Sequence, residues 1–176
     1  MCLIPTDTVY GLSARATFDS SGDEGEASLA LIKGGRGGKQ FIRLIYSIEE
    51  IESYCAMPIP RAIKDIWPGK LTAVLPLKGQ FCKRVGDTAA FRCPADTWLR
   101  DVLRLCGFPI FSTSANRSGC PPITRFCDAV REFGCDVPLI VDGGDLDDCR
   151  PSTIVRVNLS GEVEVLRQGD VSVCSS

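Results

Sequence analysis

The chain has 176 residues, 44 % apolar and 24 % charged, with a formal net charge of −2. That balance suits one ordered domain with a real core, and it excludes a disordered tail or a nucleic-acid binder drawn in by its overall field. There are ten cysteines and no histidine, and the missing histidine removes a Ser-His-Asp triad, a Cys-His dyad and any histidine zinc site. The cysteines are scattered, without a C-x-x-C pair, and read as reduced thiols. No apolar run is long enough to span a bilayer, and no basic stretch followed by an apolar one opens the sequence. A cytoplasmic location without membrane contact is the expectation.

In chain order, Cys2, Leu3 and Ile4 form a short strand that stops at Pro5. Residues 5–12, with Thr6, Asp7 and Thr8, allow two readings. They can offer hydroxyls and backbone N–H groups to a polar ligand at a strand end, or form a strand-to-helix loop that satisfies its own backbone. A helix is predicted over 26–33. The run from Lys33 to Lys39 mixes cations with glycine and reads equally as a phosphate-approaching loop or a solvated basic turn. It is not a Walker A loop, because Lys33 stands in place of the opening glycine and Gln40 where Ser or Thr is needed.

Residues 41–46 read as a buried strand, 48–54 and 60–66 as helices, and 71–75 and 89–93 as strands. Trp67-Pro68-Gly69 reads as a helix end and turn. Arg92, inside an apolar strand, requires a carboxylate from the protein or from a ligand. A helix is predicted over 97–106, capped by Asp96 and ended by Gly107. A strand at 109–111 leads into Ser112-Thr113-Ser114-Ala115-Asn116, where hydroxyls and an amide can build an anion-binding concavity. A helix over 125–133 and strands at 139–141, 153–157 and 163–166 follow, the last two joined by a turn at 158–161. The acidic run 142–148 lacks EF-hand spacing and reads as a solvated turn. Mixed elements without linker or repeat predict one α/β or α+β domain with a mixed sheet.

Six segments, in order, resemble the YrdC-like family. Its Pro-Thr-x-Thr-Val-Tyr-Gly-Leu matches Pro5 to Leu12, and its Trp-Pro-Gly-x-Leu-Thr matches Trp67 to Thr72. Its Ala-x-Arg-x-Pro matches Ala90 to Pro94, and its Ser-x-Asn followed by Ser-Gly matches Ser114 to Gly119. Pro-Ser-Thr-Ile-Val matches Pro151 to Val155, and Leu-Arg-x-Gly matches Leu166 to Gly169. The resemblance implies a twisted mixed sheet flanked by helices, with a concave, partly basic face. It implies an L-threonylcarbamoyladenylate synthase, a nucleotidyltransferase that uses L-threonine, bicarbonate and ATP with Mg2+. A transfer enzyme would then modify tRNA.

By that resemblance Thr8, Arg92, Ser112 and Ser152 would bind threonine, and Lys33, Arg36, Lys39, Thr88, Ser114, Asn116 and Arg167 would line the nucleotide side. No protein metal ligand is assigned. The family's Lys-x-Arg has its arginine one place late here, at Arg36, and the glycines around it are expected to let it fold back. The chain is also expected to start inside the family's first strand, without the helix that usually precedes it. Two other readings remain. One is a carbamoyl-adenylate-forming domain. The other is a non-catalytic module for double-stranded RNA or tRNA, resting on Lys33, Arg36, Lys39 and Arg43.

Overall fold

The computed structural model describes residues 1–16, 24–34, 40–146 and 150–173, the side chains of 83–85 apart. In chain order the elements are β1 (Cys2–Ile4), β2 (Gly11–Arg15), α1 (Glu24–Ile32), β3 (Ile42–Leu44), α2 (Glu49–Glu52), α3 (Arg61–Lys64) and β4 (Leu71–Pro76). There follow α4 (Gly79–Val85), β5 (Thr88–Arg92), α5 (Thr97–Cys106), β6 (Ile110–Ser114), α6 (Phe126–Phe133), β7 (Thr153–Val157) and β8 (Val163–Arg167). The strands join in one sheet ordered β1-β2-β6-β3-β5-β4-β7-β8. The pairs β3–β5 and β4–β7 are parallel and the others antiparallel, so the sheet is mixed, as predicted.

Strand alternation sorts the sheet into two faces. Ala14, Phe111, Arg43, Phe91, Ala73 and Val155 form one register row. Helices cover this face. Leu29 of α1 and Ala129 and Phe133 of α6 pack on one half, and Ile51 of α2 and Ile63 of α3 on the other. Each buried leucine, isoleucine or phenylalanine side chain contributes roughly 1.5–3 kcal/mol relative to exposure. The opposite row runs Ser13, Ser112, Ile42, Ala90, Val74 and Arg156. On this face α5 covers one end only, through Leu99 and Leu103 against Leu44 and Ile110.

The helix at 97–106 forms as the sequence predicts. Asp96 Oδ1 accepts from the Leu99 N–H at 2.7 Å, and Gly107 closes the helix at φ +71°. Three expectations change. The segment after Pro5 does not run into a helix. It turns into β2, antiparallel to both β1 and β6. Gly11 and Ser13 carry little strand propensity, so pairing with β6 makes this strand. Residues 139–141 give a single parallel bridge, Leu3 to Ile140, because Pro138 before it and Gly143 and Gly144 after it leave no room for a ladder. Helix α4 also forms where none is predicted. No helix among the described residues is long and apolar enough to cross a membrane.

Candidate active site

The uncovered part of the sheet face forms the floor of an open cleft of about 860 Å³, within the range of small-molecule sites. Ile42, Val74, Ala90 and Ile154 give it an apolar strip, and Lys33, Arg92, Arg156 and Arg167 supply cations. Among the described residues that line it there is no aspartate or glutamate.

Arg92 is the most buried of these cations, with 5 % of its side chain exposed. It ends β5 on the cleft side, and its partner comes from the loop between β1 and β2. NH2 pairs with Asp7 Oδ1, and NH1 donates to Thr8 Oγ1 at 2.9 Å. Asp7 Oδ2 also accepts from the Ala95 N–H at 2.9 Å. Nε of Arg92 has no partner among the described residues. Burial lowers the guanidinium's pKa and Asp7 opposes that, and the group stays charged at any ordinary pH. The loop is tied round Thr6, whose Oγ1 accepts from the N–H groups of Thr8 and Val9, each at 3.2 Å.

Ser112 faces the same pocket from β6. A Cβ on Gly11 would lie 2.6 Å from Ser112 Oγ, so a side chain there would push that hydroxyl out of its place in the pocket. On the far side, Ser152 Oγ and Thr72 Oγ1 lie 2.8 Å apart, and Arg167 NH2 donates to the Ser152 carbonyl at 2.7 Å. Thr8, Arg92, Ser112 and Ser152, expected from sequence to act together, therefore share one cleft.

A second group sits at the cleft's other end. Lys33 follows α1, and its Nζ donates to the Ser114 carbonyl (3.0 Å), the Asn116 carbonyl (2.8 Å) and Asn116 Oδ1 (2.6 Å). Ser114 Oγ donates to the same Oδ1 at 2.6 Å. Burial lowers the lysine's pKa. Thr88 lines the cleft with Gln40 Nε2 on its carbonyl at 3.0 Å. Arg167 stands with Ser152 and away from Lys33, although the sequence reading groups it with the nucleotide side. Arg36 and Lys39 lie outside the described residues.

Residues 1–169 match the model of the Sua5/YciO/YrdC family, described as "Telomere recombination". The chain belongs to the Sua5/YciO/YrdC family. It is 27 % identical to the threonylcarbamoyl-AMP synthase of Bos taurus over 94 % of its own length and 62 % of that protein's. It is 35 % identical to a putative threonylcarbamoyl-AMP synthase of Mycobacterium tuberculosis, covering 98 % of this chain and 79 % of that one. The crystal structure of Pyrococcus abyssi Sua5 complexed with L-threonine superposes at a TM-score of 0.81 with 31 % identity, over 96 % of this chain and 50 % of that one. The chain thus spans about three fifths of the first curated relatives it matches.

Within this family fold, one expected basic residue is misplaced. Arg43, counted from sequence among the RNA-facing cations, is only 3 % exposed and stacks its guanidinium 4.6 Å over the Phe111 ring on the helix-covered face. The reason is alternation: Ile42 and Leu44 line the cleft, so Arg43 between them points away. Two site residues escape the sequence reading, Asp7 and Thr72. Asp7 shows only as the middle residue between two threonines, and its tie to Arg92 crosses 85 positions. Thr72 is fully buried between Leu71 and Ala73 and reads as core until its hydroxyl is found on Ser152. No group of three or more His, Cys, Asp or Glu that could hold a metal occurs among the described residues.

Proposed function

We propose that this chain is an L-threonylcarbamoyladenylate synthase, forming threonylcarbamoyl-AMP and pyrophosphate from L-threonine, bicarbonate and ATP. One observation carries the reading. A single cleft joins a hydroxyl-and-guanidinium pocket at Arg92 to a half-buried ammonium at Lys33, and no carboxylate lines it among the described residues. Such a site suits two anionic substrates brought together. The relatives named threonylcarbamoyl-AMP synthase, and the Pyrococcus abyssi protein crystallised with L-threonine, support the same substrates.

The threonine amine takes up bicarbonate to give an N-carboxylate and water. That carboxylate attacks the α-phosphorus of ATP, and pyrophosphate leaves. Positioning and charge neutralisation supply the catalysis, so a site without histidine is sufficient. Arg92 holds the threonine carboxylate, and Thr8, Ser112 and Ser152 orient the remaining polar groups. Lys33, Ser114 and Asn116 receive the phosphates with Thr88 close to them, Arg167 reaches the nucleotide from the Ser152 side, and Arg36 and Lys39, outside the described residues, are the further cations the family segment supplies. ATP enters as its Mg2+ complex. A cleft lined by hydroxyls and cations fits a metal held by phosphate and water oxygens. The product then passes to an enzyme that transfers the threonylcarbamoyl group to tRNA. A reducing compartment such as the cytoplasm fits the free thiols among the described cysteines.

The test is pyrophosphate release from Mg-ATP and bicarbonate, with and without L-threonine. Threonine-dependent release, with threonylcarbamoyl-AMP identified by mass, is the expected result. No release at high protein concentration refutes the proposal.

A further inference from the structure

Behind the Lys33 corner one guanidinium ties three elements together. Arg117 follows Asn116 on the loop after β6. Its Nε donates to Glu132 Oε1 at 2.7 Å, and its NH2 donates to Asp136 Oδ2 at 2.6 Å and to the Glu132 carbonyl at 3.2 Å. Its Cζ lies 4.7 Å from the centre of the buried Phe133 ring of α6. NH1 donates at 3.3 Å to the carbonyl of Ile32, the last residue of α1 and the neighbour of Lys33. The Arg117 carbonyl accepts from Asn116 Nδ2 at 3.0 Å.

These contacts close a ring. Lys33 Nζ reaches Asn116 directly, and the peptide before Lys33 reaches the residue after Asn116 through Arg117. A lysine on a flexible four-carbon stem loses its preferred position easily, and a loop amide does too. Fixing the main chain at both ends of their contact removes that freedom. Arg117 also puts positive charge at the carbonyl end of α1, which has no basic residue in its own last turn. The planar five-donor fork makes this span possible, and a lysine could not reproduce it. The ion pairs themselves are about two fifths exposed, where such pairs add little to stability.

We propose that Arg117 is a positioning residue, which holds Lys33 and Asn116 in the arrangement that receives the nucleotide's phosphates. The inference rests on the nucleotide reading of this corner. Mg-ATP binding by calorimetry, the KM values for ATP and threonine, and the melting temperature are measured for the parent chain, Arg117→Ala, Arg117→Lys and Arg131→Ala. Arg131→Ala removes an exposed ion pair from the same helix without touching the ring. The expected result for Arg117→Ala is ATP binding weaker by about tenfold, the equivalent of one charged hydrogen bond's worth of positioning. The threonine KM and melting temperature should stay close to parent values. Arg117→Lys should restore only part of the loss, and Arg131→Ala should match the parent. Should Arg117→Ala not fold, Asp136→Asn, which frees one arm of the fork, is expected to weaken ATP by about threefold in the same pattern. Unchanged ATP binding, or ATP, threonine and stability shifting together, overturns the positioning role. A parent chain that binds no ATP overturns the nucleotide reading first, and the inference with it.

Discussion

The two ends of the cleft hold their cations in opposite ways. At one end Arg92 is buried and neutralised by a protein carboxylate, Asp7. At the other end Lys33 is half-buried and held, among the described residues, by carbonyl and amide oxygens. Arg92 shares a register row with Leu44 and Ile110, and Ser114, which Lys33 reaches, lies four residues further along β6, roughly 13 Å at the ordinary rise per residue. The difference teaches what each end can do. A cation already paired is rigid and offers directed donors, which suits recognising a small carboxylate. A cation held by neutral oxygens keeps its charge uncompensated, which suits polyphosphate.

The largest expected effect comes from breaking the pair. Asp7→Ala leaves Arg92 buried without its carboxylate and should cost about 3–5 kcal/mol of stability, read by urea unfolding. The double variant Asp7→Leu, Arg92→Met should regain much of that stability while binding no threonine. A double variant that still binds threonine would refute Arg92's role. Next, Lys33→Met should cost about 1–3 kcal/mol of stability, because it leaves the Ser114 and Asn116 oxygens without their donor, and should raise the ATP KM about 10- to 100-fold, the loss of one charge-assisted contact. The same corner has a pH signature. Because burial lowers the Lys33 pKa, its ammonium is lost as pH rises through that lowered value, below the range of an exposed lysine. ATP affinity should therefore fall on the alkaline side, and Lys33→Met should lack that fall.

A smaller effect is expected of Gly11→Ala. Its new methyl meets Ser112 Oγ at 2.6 Å, so the cost should be about 1–3 kcal/mol, with a weaker threonine KM and little change for ATP. An equal change in both KM values would argue against two separate ends. The smallest effect concerns thiols. Burial pushes Cys55 and Cys93 up to about 11, so thiol reagents at neutral pH should label the exposed Cys120, Cys127 and Cys135 before these two, as mass spectrometry would show.

The helix over 97–106 is legible because its cap, its apolar spacing and its terminal glycine agree locally. The segment Pro5 to Leu12 is legible only in part. Its hydroxyls point to a ligand, but its turn into a strand depends on β6, which comes about a hundred residues later. Arg92 announces by its apolar surroundings that it needs a carboxylate, without saying whose. Arg43 shows the converse, since its charge suggests a surface until strand alternation turns it onto Phe111.

The sequence by itself determined the mixed α/β class, the family and most of the residues around the cleft, because those rest on local patterns and ordered motifs. Tertiary structure decided who pairs with whom. Asp7 with Arg92, Thr72 with Ser152 and Arg117 with Ile32 are contacts between strands, loops and a helix end far apart in the chain. Only sheet register and helix packing bring such groups within hydrogen-bond reach, and neither is written in any short stretch of residues.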